Sequence, residues 1–123
     1  MTDWVKYLKV NSPDLNCWTF VEHIQTSLKV WNLELQELYS KNKHKWGHHI
    51  TFEDIERVAK ANNGIKVDIK DLQPHDVLVF GVNDTRPLHF GLYIGRNQFI
   101  HFKKMPKIDD LDDTWRSKLK IIY

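Results

Sequence analysis

The sequence predicts an α+β fold from three observations. Apolar residues recur every three or four positions through the first half of the chain, and the period falls to two after Leu72-Gln73-Pro74. The strand-like runs that follow are joined by short turns rather than by helices. Helices leading into a contiguous antiparallel sheet give α+β rather than a doubly wound fold. With 123 residues, 41% hydrophobic, the chain is expected to form a single domain over 1–123, N-terminal helices packed on a central antiparallel sheet.

Taken in order, Thr2 or Asp3 is placed to cap a short helix carrying Trp4, Tyr7 and Leu8. From Leu15, the residues Cys17, Val21, Ile24, Leu28 and Trp31 line one face of an amphipathic helix, with Asp14 or Asn16 as its cap. Leu35 and Leu38 continue the pattern, but Val30-Trp31-Asn32 marks a break. Residues 40–49 are polar and basic and read as a loop. Thr51-Phe52-Glu53-Asp54 opens a second helix, with Ile55, Val58 and Ala59 on its face, and Asn62-Asn63-Gly64 closes it. Residues 76–80 form a nearly continuous apolar run suited to a central strand, and 82–87 a turn. Residues 88–94 and 98–102 are two further strands around a tight Gly95-Arg96-Asn97 turn. A short helix around Trp115 and a closing strand over 120–123 complete the chain.

Composition excludes several classes. Eighteen basic residues are offset by sixteen acidic ones, for a net charge of +2, so charge alone does not imply a nucleic-acid partner. No apolar run approaches a membrane span, and Met1-Thr2-Asp3-Trp4-Val5-Lys6 has no signal-peptide core. Synthesis in the cytoplasm without a classical signal peptide is expected, with delivery elsewhere needing another carrier. His44 and His48 share a spacing seen in zinc sites, but Gly47 and the lysines oppose a helix there. The run Asp109-Asp110-Leu111-Asp112-Asp113 lacks the glycine and terminal glutamate of a calcium loop and reads as a solvated helix start. No metal or cofactor is expected.

Cys17, His89 and His101 carry the candidate chemistry. A lone cysteine cannot form an intrachain disulfide, and a thiol at a helix N-terminus is activated by the unpaired amides and the positive end of the dipole. If 88–94 and 98–102 pair as a hairpin, His89 and His101 fall opposite or diagonal to each other, with a small bulge deciding which. One ring is then placed to take the thiol proton and the other to orient it. Taken singly, a free cysteine is more often a small buried hydrophobe and a strand histidine more often a packed one. The residues alone leave both readings open.

The stretch Asp14-Leu15-Asn16-Cys17-Trp18-Thr19-Phe20-Val21, then Leu72-Gln73-Pro74-His75-Asp76-Val77-Leu78-Val79-Phe80, then His89-Phe90-Gly91-Leu92-Tyr93-Ile94 through Phe99-Ile100-His101 resembles the NlpC/P60 cysteine peptidases, most nearly the phage tail-assembly type. The resemblance implies a papain-like core and hydrolysis of peptidoglycan stem peptides at a γ-D-glutamyl–diamino acid bond. It also implies Cys17 as nucleophile, His89 as general base and His101 as the orienting residue, with an acyl-enzyme between two half-reactions. Peptidoglycan stem peptides, and phage tail proteins, are the implied partners. A virion tail, or delivery to the periplasm and cell wall, is the implied location. An inactive tail or interaction protein of the same fold, and an amidase or acyltransferase on a non-wall substrate, are the alternatives. The chain departs from the family pattern in lacking the Gly-Gly turn before the cysteine. Asn16, Thr19 and His75 stand where aspartate, glycine and glycine are common.

Overall fold

The computed structural model describes residues 2–10, 15–31, 51–82, 87 and 89–123. The expected loop over 40–49, the helical continuation through Leu35 and Leu38, the alternative cap Asp14 and most of the turn at 82–87 lie outside these residues.

Among the described residues the chain runs through a 3-10 turn at Val5–Lys9 and helix α1 (Cys17–Leu28), then helix α2 (Phe52–Ala61). A second 3-10 turn follows at Ile69–Asp71. Strands β1 (Val77–Phe80), β2 (His89–Gly95), β3 (Gln98–Lys103) and β4 (Met105–Asp110) come next, then helix α3 (Asp113–Lys118) and strand β5 (Leu119–Ile122). The first turn is capped by neither Thr2 nor Asp3. Trp4 stands at its N-cap without a side-chain bond, and the short helix expected there takes the tight three-residue pitch.

Both long helices begin with reciprocal caps. The Asn16 side chain accepts the Trp18 and Thr19 amides at 2.9 Å each, while the Thr19 hydroxyl accepts the Asn16 amide at 2.7 Å. Thr51 and Asp54 repeat the device at α2. Each satisfies amides that the helix itself cannot reach.

The five strands form one antiparallel sheet in the order β4-β3-β2-β1-β5. Strands β2 and β3 turn through Arg96 and Asn97, both at positive φ (54° and 61°), the two-residue hairpin geometry whose twist matches the strands. β4 was not anticipated: Met105-Pro106-Lys107-Ile108-Asp109-Asp110 pairs with β3 from Lys103↔Met105 to Gln98↔Asp110. Its proline and single buried-facing isoleucine hide the strand pattern, and both features suit an edge position. Asp109 and Asp110 therefore belong to a strand and not to a helix start. Asp112 does cap α3, accepting the Trp115 amide at 3.0 Å.

The sheet has a core on each face. On one, Trp18, Phe20, Val21 and Ile24 of α1, with Ile55 and Ala59 of α2, pack on Val77, Val79, Phe90, Leu92 and Ile100. On the other, Leu78, Phe80, Phe99, Leu111 and Ile122 are buried together, with Trp115 of α3 packed against them. The alternation of β2 decides the sides: Phe90 and Leu92 face α1, whereas Gly91 and Tyr93 face away. α+β architecture, with helices on a central antiparallel sheet, is the fold that the pattern predicted.

Candidate active site

Cys17 is the first residue of α1 and is partly buried against the helix-side core. The next residue, Trp18, is fully buried, and its ring lies edge-on to Phe90 at 5.2 Å. Phe90 directly follows His89, so the start of α1 sits over the start of β2. The Asn16 cap orients this turn and engages the amides of Trp18 and Thr19, not that of Cys17.

The two histidines are brought together. Gly91 pairs with His101 and Leu92 with Ile100, which makes His89 and His101 diagonal neighbours on one face. The expected bulge is present, between Tyr93 and Gly95. His89 Nε2 lies 2.7 Å from His101 Nδ1, with the rings near perpendicular. Gly91, between them in the register, is needed for space: a methyl group there would come within 2.7 Å of the Phe99 ring, which in turn stacks on His101 at 4.5 Å.

A fourth residue extends the pair. His101 Nε2 is 2.7 Å from Asp109 Oδ2, across the β3–β4 ladder. Pattern reading assigned Asp109 to a solvated acidic run. The signal that would have found it is the weak alternation from Met105 to Asp109, which puts Asp109 on a strand beside β3.

Partner chemistry sets the proton positions along this chain. A carboxylate only accepts, so His101 donates from Nε2 and its Nδ1 is an acceptor. His89 then donates from Nε2, and its own Nδ1 carries a lone pair. The arrangement runs from acceptor to donor without a conflict and leaves a lone pair on His89 Nδ1 at its far end.

Electrostatics favour the neutral form of His89. Burial, and after it the neighbouring His101 and Lys103, push His89 down to about 4. Burial also lowers His101, although the Asp109 hydrogen bond and charge pull it the other way. His101 is 1% exposed, so its bonds to His89 and Asp109 are the satisfaction that a buried ring requires. Phe80, Phe99 and Trp115 wall the pair, with Trp115 centred 5.7 Å from His89 and 5.2 Å from His101. Among the described residues no cluster of three or more histidine, cysteine or acidic side chains is arranged to hold a metal ion. No helix among them is long and apolar enough to cross a membrane.

The structure also explains two departures noted in the sequence. Thr19 completes the cap of the cysteine helix. His75 stands at φ 82° in the turn Gln73-Pro74-His75-Asp76, closed by the Asp76 amide to Gln73 carbonyl bond of 3.1 Å, where a glycine would sit without strain.

The model of the NlpC/P60 family matches residues 7–120. Among solved structures, the chain is similar to an NlpC/P60 family protein from Bacillus cereus ATCC 10987, at 23% identity and a TM-score of 0.44. That similarity covers 51% of this chain and 23% of the other, so the chain spans about a quarter of the solved relative's length. No curated protein matches. With nearly its whole length matched by the family model, the chain belongs to the NlpC/P60 family.

Proposed function

We propose that this chain is a cysteine hydrolase of peptidoglycan stem peptides, acting through Cys17, His89 and His101. The observation that carries the reading is the Asp109–His101–His89 chain, because the tautomers that satisfy it leave a lone pair on Nδ1 of a partly buried ring whose proton affinity is lowered. A neutral imidazole is the form that accepts a proton, and one whose tautomer is set by its other nitrogen loses little on reaching the reactive geometry.

The reaction follows from those roles. His89 Nδ1 takes the Cys17 thiol proton as Sγ attacks the amide carbon. The oxyanion is stabilised by helix-start amides, and His89 returns the proton to the leaving amine. Water, deprotonated by the same ring, then cleaves the thioester and releases the acid. The burial of His89 favours a thiol and neutral imidazole at rest over a standing thiolate–imidazolium pair. The reading requires nucleophile and base to meet around the first residues of β2, where Trp18 at the start of α1 packs on Phe90, the residue after His89. The γ-D-glutamyl–diamino acid bond as the point of cleavage, and a phage tail or the cell wall as the setting, belong to this proposal and rest on the family resemblance.

Digestion of purified sacculi, with fragments identified by mass spectrometry, tests the reading. Stem-peptide cuts made by the wild-type chain and absent with Cys17→Ala are the expected result. No release by either protein would instead assign the chain to the inactive members of its fold.

A further inference from the structure

Of the three rings that wall the His89–His101 pair, two are fixed by the sheet itself. Phe80 lies in β1 and Phe99 in β3, whereas Trp115 stands on α3, a helix of six residues. A helix so short has little stability of its own in water, so tertiary ties decide where Trp115 sits. At its C-terminal end α3 runs into β5, and the Gly81 amide donates to the Lys118 carbonyl at 2.8 Å. At its N-terminal end the ties converge on Asn97, in the turn between β2 and β3. The Asn97 carbonyl accepts the Leu111 amide at 2.7 Å. The Asn97 side-chain oxygen accepts from Arg116 Nη2, and Arg116 Nε donates to the Leu111 carbonyl at 2.9 Å. Leu111, fully buried, thus has both backbone groups engaged, one by the turn and one by the helix. On one side of it Asp109 bonds His101, and on the other Trp115 lies 5.1 Å from both Phe80 and Phe99.

We propose that Arg116 is a positioning residue for the catalytic base: clasping Asn97 of the hairpin turn, it holds Trp115 over the His89–His101 hydrogen bond and keeps water from it. The inference rests on the hydrolase reading and adds a determinant that lies outside the reacting groups. Water admitted to the pair would compete for both nitrogens of that bond. Asp109 would then no longer fix the His89 tautomer, because the proton order passes through His101. A guanidinium suits the clasp, since its fork reaches a side-chain amide oxygen and a backbone carbonyl at once. Asparagine suits it as well, because the turn needs a positive φ that asparagine adopts readily while offering an acceptor. The charges that face the histidines are Asp109 and Lys107 of β4, Lys103 of β3 and Lys118 of α3. None of them is removed when the clasp is cut.

Asn97→Gly cuts it most cleanly, because glycine accepts the φ of 61° and keeps the carbonyl that holds Leu111. Imidazole signals of the wild type, Asn97→Gly, Arg116→Gln, Arg116→Lys and Asn97→Asp are followed by NMR from pH 3 to pH 8. In the wild type His89 titrates at about 4. With the clasp cut, its midpoint should rise toward the ordinary histidine value by about one unit or more. Arg116→Lys keeps the charge without the fork and should follow Arg116→Gln. Asn97→Asp keeps the acceptor and should follow the wild type. Where stem peptide is cleaved, the acid limb of kcat should move with the midpoint, and kcat should fall on the order of tenfold at constant KM.

Folded Asn97→Gly and Arg116→Gln proteins that keep the wild-type midpoint overturn the proposal, even where their Tm falls. So does an Arg116→Lys protein that behaves as the wild type, because charge and not the clasp would then set the base. The midpoints are read on the free protein, so they decide this inference even where no peptide is cut and the hydrolase reading has failed.

Discussion

On the α1 side of the sheet, Phe90, Leu92 and Ile100 meet Trp18, Phe20 and Ile24, and all six are at most 1% exposed. On the other side the same two strands present His89 and His101, held between Phe80, Phe99 and Trp115. Both faces are tightly buried, but they use burial differently. The helix side gains stability from apolar area removed from water. The histidine side buries two titratable rings, which lowers their proton affinity and makes the Asp109–His101–His89 bonds obligatory. Loss of packing should therefore dominate on one face and loss of chemistry on the other.

Paired substitutions test that division most directly. Phe90→Ala removes a fully buried ring under Trp18 and is expected to cost about 3–5 kcal/mol in urea unfolding. Asp109→Asn is nearly isosteric, and its side chain is 43% exposed, so stability should change by less than about 1 kcal/mol. Its effect on turnover should be large. An asparagine amide can donate to His101 Nε2, moving the His101 proton to Nδ1. His89 Nε2 then becomes the acceptor, and Nδ1 carries the proton where the base is needed. A fall in kcat on the order of 10²-fold follows, with KM little changed. Full activity in a folded Asp109→Asn protein would show that Asp109 only fills a bond.

Gly91→Ala probes the seam between the faces. Its new methyl would press on Phe99 at 2.7 Å, and overpacking of this kind costs about 1–3 kcal/mol. Because Phe99 stacks on His101, the variant should also lose activity out of proportion to its stability, a result that no helix-side substitution of similar cost should give. Equal losses from Gly91→Ala and from a helix-side variant matched in stability would erase the distinction.

The helix side was also the more legible of the two. Cys17, Val21, Ile24 and Leu28 announce α1 by spacing alone, and Asn16 was one of two caps that the sequence offered. The histidine pair was legible as a geometric consequence of the hairpin, including the need for a bulge, because strand pairing links residues whose numbers have a constant sum. Asp109 was not. It lies on an edge strand whose proline and lysine blur the two-residue period, next to a genuine helix cap at Asp112. Local pattern has no term for a contact between adjacent strands that begins at a carboxylate, so the end of the relay became visible only in the structure.

Acid should act through the histidine face. His89 sits at about 4 when folded and near 6.5 when unfolded, so between these values the unfolded chain binds more protons. Stability therefore rises with pH across this window and is lost as pH falls through it, by on the order of 1–3 kcal/mol for this ring. His101, lowered in the same direction, adds to the slope. Urea midpoints measured from pH 4 to pH 7 check this. The slope should flatten in His89→Phe, and an unchanged slope would place the acid sensitivity elsewhere.

The smallest expected effect lies at the turn into β1, which belongs to neither face. His75 is at φ 82°, a conformation that costs a side-chain-bearing residue about 1 kcal/mol and glycine nothing. Its ring returns part of that through Trp4, centred 5.2 Å away, and through Thr2 Oγ1 at 3.3 Å. The long polar contact and the partly exposed groove around it make those gains small. Replacing His75 with glycine relieves the strain but also frees the unfolded chain, which works against the variant by a similar fraction of a kcal/mol. A net gain of less than about 1 kcal/mol is expected, read as a rise of a few degrees in Tm with turnover unchanged. A fall in Tm would mean that the Trp4–His75 packing outweighs the strain, and the N-terminal turn would then count as part of the helix-side core.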